Sequence, residues 1–159
     1  MKVLIIEDES RAAKKIKELI GEIAPNMQIV ATLETVRDSI DFLAKNTVDL
    51  IFSDIQLADG ISFEIYQKIT VNCPIIFTTA YDQFAIKAFE TKGIDYLLKP
   101  IGRTELKEAI DKFNILQLKL NGDRLEKMED VYSIINRNYK NRFLVRSGEQ
   151  ILSVPVEDI

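Results

Sequence analysis

A chain of 159 residues, 47% hydrophobic and 29% charged, can bury the core of one domain plus a modest extension, and its net charge of −4 argues against nonspecific nucleic-acid binding by the whole chain. Cys73 is the only cysteine, which excludes an intrachain disulfide and a cysteine-rich zinc site; the absence of histidine excludes Ser-His and Cys-His catalysis and any histidine-ligated metal from within the chain. No apolar run reaches membrane-spanning length and the N-terminus opens on a strand instead of a signal peptide, so a soluble cytoplasmic protein is expected.

Val3-Leu4-Ile5-Ile6 has the pattern of a strand buried on both faces, and it leads into Glu7-Asp8. Ser10 is placed to cap a helix whose apolar positions are Ala12, Ala13, Ile16, Leu19, Ile20 and Ile23, and Pro25-Asn26 breaks it. Gln28 to Leu33 reads as the second strand, followed by a helix with Val36, Ile40, Phe42 and Leu43 at its apolar positions. The third strand, Val48 to Ser53, leads into Asp54. Asp59-Gly60 marks a turn before a short helix carrying Ile61, Phe63, Ile65 and Ile69. Pro74 precedes the fourth strand, Ile75 to Thr78. Phe84, Ala85, Ala88 and Phe89 give the next helix a buried stripe, ended by Gly93. The fifth strand, Tyr96 to Leu98, leads into Lys99-Pro100, and Leu106, Ile110, Phe113, Leu116 and Leu120 make a last helix.

This alternation implies right-handed crossovers and an α/β, doubly wound five-stranded parallel sheet with helices on both faces. Strand order 2-1-3-4-5, the flavodoxin-like arrangement, sets the first and third strands side by side. Ligands of such sheets bind beyond the carboxyl ends of the strands, where Glu7, Asp8, Asp54 and Lys99 would converge. Taken singly these residues have plainer uses. Glu7-Asp8 suits a solvated helix N-terminus, Asp54 a loop cap, Lys99 a surface position and Tyr96 a core aromatic. Their joint placement at three strand ends favours a site.

With Thr79-Ala80 after the fourth strand and Tyr96 in the fifth, these motifs resemble the receiver domain of two-component response regulators over roughly residues 1–120. The resemblance implies that Asp54 accepts a phosphoryl group from the histidine of a sensor kinase. It implies Mg²⁺ bound by Asp8, Asp54 and the backbone carbonyl of Gln56, with Glu7 acting through water. Lys99 and the Thr79 hydroxyl would contact phosphoryl oxygens, together with the backbone of Gln56 and Ala80, and Thr79 and Tyr96 would act as a switch. Pro100 would follow a cis peptide bond. A homodimer would use the fourth helix, fifth strand and fifth helix, roughly residues 82–118, with Lys87, Lys92, Asp95, Glu105 and Asp111 offering charges of both signs.

The residue types suit that chemistry. Mg²⁺ takes carboxylate, carbonyl and phosphate oxygens, and a neighbouring lysine offsets the repulsion among grouped carboxylates. One departure concerns the loop: Asp54-Ile55-Gln56-Leu57-Ala58-Asp59-Gly60 lacks the Met-Pro common in receivers and is shorter than usual by about two residues. Two other classes stay open: a Mg²⁺-dependent aspartyl-phosphate phosphohydrolase, which commonly wants an acid where Gln56 stands, and a phosphorylation-independent interaction module.

Residues 121–136 read as a linker. In 137–159, Phe143 to Arg146, Ser147-Gly148-Glu149 and Gln150 to Pro155 read as a hairpin. This stretch is similar to the opening of LytTR-type DNA-binding domains, which suggests a truncated form of a longer transcription factor whose full length binds promoter DNA. Arg137, Lys140, Arg142 and Arg146 are compatible with nearby DNA and equally with a solvated strand edge.

Overall fold

The computed structural model describes residues 1–81, 91, 93–122, 142–147 and 150–155. They fall into two units, Met1–Phe113 and Asn114–Ile159, each taken by itself. Five parallel strands form the sheet of the first: β1 (Lys2–Ile6), β2 (Gln28–Leu33), β3 (Leu50–Asp54), β6 (Ile75–Thr79) and β7 (Gly93–Leu98). Their order is β2-β1-β3-β6-β7, the arrangement expected, with β1 and β3 adjacent. Between β3 and β6 lie two two-residue strands, β4 (Gln56–Leu57) and β5 (Gly60–Ile61), paired antiparallel. The helices are α1 (Ser10–Ile23), α2 (Val36–Leu43), α3 (Phe63–Lys68) and α4 (Arg103–Gly122).

Strand pattern decides how the sheet is sandwiched. Leu4, Ile6, Ile51, Ile75 and Phe77 alternate along their strands and belong to one core cluster with Val36 of α2 and Phe63 and Ile65 of α3. Phe77 is the hub: its ring lies 5.1 Å from that of Phe63 and 5.7 Å from that of Tyr66, the latter edge-on. Val3, Ile5, Leu50, Phe52 and Ile76 alternate with these and are equally buried, so a second layer covers the other face. The buried stripes of α1 (Ala13, Ile16, Leu19, Ile20) and α4 (Leu106, Ala109, Ile110, Phe113) supply it. Among the described residues no helix is long and apolar enough to cross a membrane.

Two local expectations are corrected. Ser10 is the first residue of α1; Glu9 takes the cap position and makes no side-chain capping bond. Ile61 lies in β5, outside the helix that follows. Gly93 opens β7, where it pairs with Ile75. The last helix, α4, continues past residue 120 through Asn121 to Gly122; a glycine at the last helical position forfeits little helix stability. The expected helix around Phe84–Phe89 and most of the expected linker lie outside the described residues. In the second unit, β8 (Arg142–Ser147) and β9 (Gln150–Pro155) pair antiparallel as a hairpin, with Arg142 opposite Pro155.

Candidate phosphoacceptor site

Because all five strands of the sheet run parallel, their carboxyl ends share one edge. Glu7 and Asp8 follow β1, Asp54 closes β3, Thr79 closes β6, and Lys99 follows β7. Register holds them level: Ile6 pairs with Ser53, Asp54 with Thr78, and Thr79 with Leu98. Beyond this, the Lys99 amide donates to the Thr79 carbonyl at 2.8 Å, and the Lys99-Pro100 bond is cis. Asp8, Asp54, Gln56, Thr79, Ala80 and Lys99 line one cavity of about 290 Å³. With each water taking about 30 Å³ of liquid volume, that is room for a phosphoryl group and several waters.

Lys99 is the centre of the arrangement. Its ammonium donates to Asp54 Oδ2 at 2.6 Å, to Glu7 Oε1 at 2.8 Å and to Glu9 Oε1 at 3.3 Å, which uses all three of its protons. Burial by itself would lower the Lys99 pKa, but the hydrogen bonds and charges of Asp54 and Glu7 outweigh it and raise the value. The Glu7 value is raised as well, which for a carboxyl favours the neutral form. Burial and the charge of Asp54 raise its carboxyl from the ordinary 4.5 to about 7, against the lowering effect of Lys99 and of the Glu9 amide, which donates to Glu7 Oε1 at 3.1 Å.

The acids fit a hard cation. Glu7, Glu9 and Asp54 each present a carboxylate oxygen, all within 4.8 Å of one another. Glu7 Oε2 is buried with no hydrogen-bond partner, an oxygen lone-pair site left for a ligand. The donor set is oxygen only, which suits Mg²⁺ better than a softer metal. Asp8 lines the cavity beside this trio and is half-buried. Glu9 was not foreseen. Its signal was present as the third acid of Glu7-Asp8-Glu9, and its turn toward Lys99 explains why it does not cap α1.

On the far side, Thr79 and Tyr96 meet through one residue, Tyr81. The Tyr81 amide donates to Thr79 Oγ1 at 3.3 Å, and the Tyr96 hydroxyl donates to the Tyr81 carbonyl. Gln56 donates its amide to Asp54 Oδ1 at 3.2 Å.

Residues 3–111 match the response regulator receiver domain family. The chain belongs to that family. A receiver is a signalling domain and not a classical enzyme. Among curated proteins the receiver is 33% identical over 162 aligned positions to the sensory transduction protein LytT of Bacillus anthracis, an alignment covering 100% of this chain and 64% of LytT. It is 36% identical over 122 positions to the transcriptional regulatory protein LytR of Staphylococcus aureus, covering 75% of this chain and 49% of LytR. The chain therefore spans about half to two thirds of the length of these relatives. Among solved structures, the response regulatory domain of mrkE from Klebsiella pneumoniae superposes with a TM-score of 0.67 at 32% identity, covering 72% of this chain and 96% of that domain.

Proposed function

We propose that Asp54 is a phosphoacceptor that takes its phosphoryl group from the histidine of a sensor kinase and relays it as a signal. The observation that carries this reading is the Lys99 ammonium held 2.6 Å from Asp54 and 2.8 Å from Glu7 at the edge of a parallel sheet, lining a cavity with room for a phosphoryl group. Asp54 presents one carboxylate oxygen to Lys99 and the other to the Gln56 amide, so both are oriented before any ligand arrives. The carboxylate attacks phosphorus, the bond to the donor nitrogen breaks, and an acyl phosphate results. Lys99 then offsets charge on the transferred group, with the Thr79 hydroxyl and the Gln56 and Ala80 amides as further donors. Mg²⁺ held by Asp8, Asp54 and the Gln56 carbonyl, with Glu7 through water, would neutralise the cluster and the phosphoryl oxygens when bound. The same groups would serve self-catalysed phosphorylation from small donors and self-catalysed dephosphorylation.

Output follows from the path Thr79–Tyr81–Tyr96. A phosphoryl group that draws the Thr79 hydroxyl takes it from the Tyr81 amide, which biases the residue whose carbonyl Tyr96 holds. In the full-length protein this signal would reach a LytTR-type DNA-binding domain through a linker (121–136), with residues 137–159 as its opening strands, and so control transcription in the cytoplasm. The whole-chain alignment with LytT supports that organisation. Dimerisation would use the fifth sheet strand, β7, and its flanking helices. Of its charges, Asp95 is paired with Lys112 at 2.8 Å and Asp111 with Lys107 at 2.6 Å, while Lys87 and Lys92 lie outside the described residues.

The test is chemical. With Mg²⁺ and acetyl phosphate or a cognate kinase, the protein should gain one acid-stable, base-labile phosphoryl group. Asp54→Asn should abolish it and Asp8→Asn should weaken its Mg²⁺ dependence. Equal labelling of wild type and Asp54→Asn would sink the assignment.

A further inference from the structure

We infer that Asp59 is a positioning residue: it clamps the segment carrying Gln56 onto the start of α2 and thereby fixes the Gln56 peptide beside Asp54. The inference rests on the reading of Asp54 as the phosphoacceptor.

The segment after Asp54 is a strap and not a free loop. Gln56 pairs with Ile61 and Leu57 with Gly60, and the Ser62 amide closes the strap by donating to the Ile55 carbonyl at 2.9 Å. Gly60, at φ +155°, makes the return; a Cβ there would meet Glu64 Oε1 at 3.3 Å. At its tip Asp59 uses both carboxylate oxygens on another element. Oδ1 accepts from the Val36 amide at 2.7 Å and Oδ2 from the Arg37 amide at 3.1 Å. These are two of the amides that the first turn of α2 leaves without a helical partner. A third, from Asp38, goes to Thr35 Oγ1 at 3.0 Å.

At its other end the strap reaches the chemistry, where the Gln56 amide donates to Asp54 Oδ1 at 3.2 Å. Leu57 and Val36 lie in the same core cluster, so the strap is also seated on apolar contact. A turn-forming aspartate would bond its own backbone a residue or two onward. Asp59 instead makes two charge-assisted bonds across about twenty residues of sequence to an element that carries none of the site. The short loop has little slack, so what holds its tip also sets the direction of the Gln56 carbonyl and amide.

Two variants separate positioning from helix capping. Asp59→Ala removes both bonds to α2, whereas Thr35→Ala removes the other cap of the same helix and leaves the strap alone. Both should lower the melting midpoint of the protein by similar amounts. Only Asp59→Ala should raise the Mg²⁺ concentration that half-saturates labelling by acetyl phosphate, by about tenfold, the scale of a lost supporting contact at a metal site. In the metal-free protein it should also speed hydrogen exchange at the Gln56 amide. Asp59→Asn, which keeps one acceptor, should recover part of both effects. Unchanged Mg²⁺ dependence and unchanged Gln56 exchange in Asp59→Ala overturn the inference, as do equal changes in Thr35→Ala. Failure of the wild type to label at all overturns the phosphoacceptor reading instead. Gln56 exchange in the metal-free variants then still decides whether Asp59 fixes that peptide.

Discussion

Replacing Glu7 by Gln should make the metal-free protein more stable, and only at neutral to alkaline pH. Glu7 is 1% exposed and its carboxyl is pushed from 4.5 to about 7, chiefly by burial and then by the charge of Asp54, with Lys99 pulling against both. A carboxyl whose folded value lies above its unfolded one holds its proton more tightly in the native state. Its favourable contribution is thus complete below pH 4.5 and is lost as pH rises through about 7. Integrated over that window, the charged form disfavours folding by about 1 kcal/mol at pH 5 and about 3 kcal/mol at pH 8. Glutamine keeps the shape and an acceptor for Lys99 but never ionises. Glu7→Gln should therefore match wild type within about 1 kcal/mol at pH 5 and exceed it by about 3 kcal/mol at pH 8, near 10 °C in melting midpoint for a domain this size. Thermal and urea melts in EDTA at the two pH values measure this directly. A stability difference that is the same at both, or a variant less stable than wild type at pH 8, would refute the argument. Mg²⁺ should narrow the gap at pH 8, because the cation favours the charged carboxylate that glutamine lacks.

Three other outcomes are expected. Lys99→Ala leaves the carboxylates of Glu7, Glu9 and Asp54 facing one another, so it should cost about 3 kcal/mol at pH 8 and clearly less at pH 5, where Glu7 carries a proton; urea melts at both values would show it, and an equal loss would count against charge as the cause. Phe77→Ala empties the space between Phe63 and Tyr66 and should cost about 3–5 kcal/mol in chemical denaturation. A loss under about 1 kcal/mol would mean that Phe77 is not the hub of that layer. Sedimentation should find a weak dimer that tightens once Asp54 is phosphorylated; the same monomer before and after stoichiometric labelling would argue against the proposed face.

What could be read from the sequence follows the reach of each interaction. The strands were legible because Val3–Ile6, Ile51–Ser53 and Ile75–Thr78 are buried on both faces and leave no polar alternation to confuse the period. The places of Asp54 and Lys99 at the sheet edge could be read because Asp54 directly follows the second of these runs and Lys99 follows the short apolar stretch Tyr96-Leu97-Leu98. Boundaries failed where a tertiary partner overrode a local signal. Ser10 is a better cap than Glu9 by side chain, yet Glu9 turns to Lys99, ninety residues away in sequence. Asp59 looked like a turn residue because its bonds to Val36 and Arg37 have no sequence signature. The antiparallel pairing of Gln56–Leu57 with Gly60–Ile61 escaped for the same reason, being too short for any periodicity to register.

The distance in sequence between Glu7 and Lys99 has a consequence for how the protein is made. The ribosome delivers the acids of β1 first, Asp54 midway, and Lys99 only after the whole of β7, the edge strand that docks on β6. Until that strand arrives, the acids lack the ammonium that ties Glu7 to Asp54 and holds one Asp54 oxygen in place. On the phosphoacceptor reading, a nascent or truncated chain lacking β7 would lack the lysine that the transfer uses, and competence to receive a phosphoryl group would certify that synthesis has run through the full sheet.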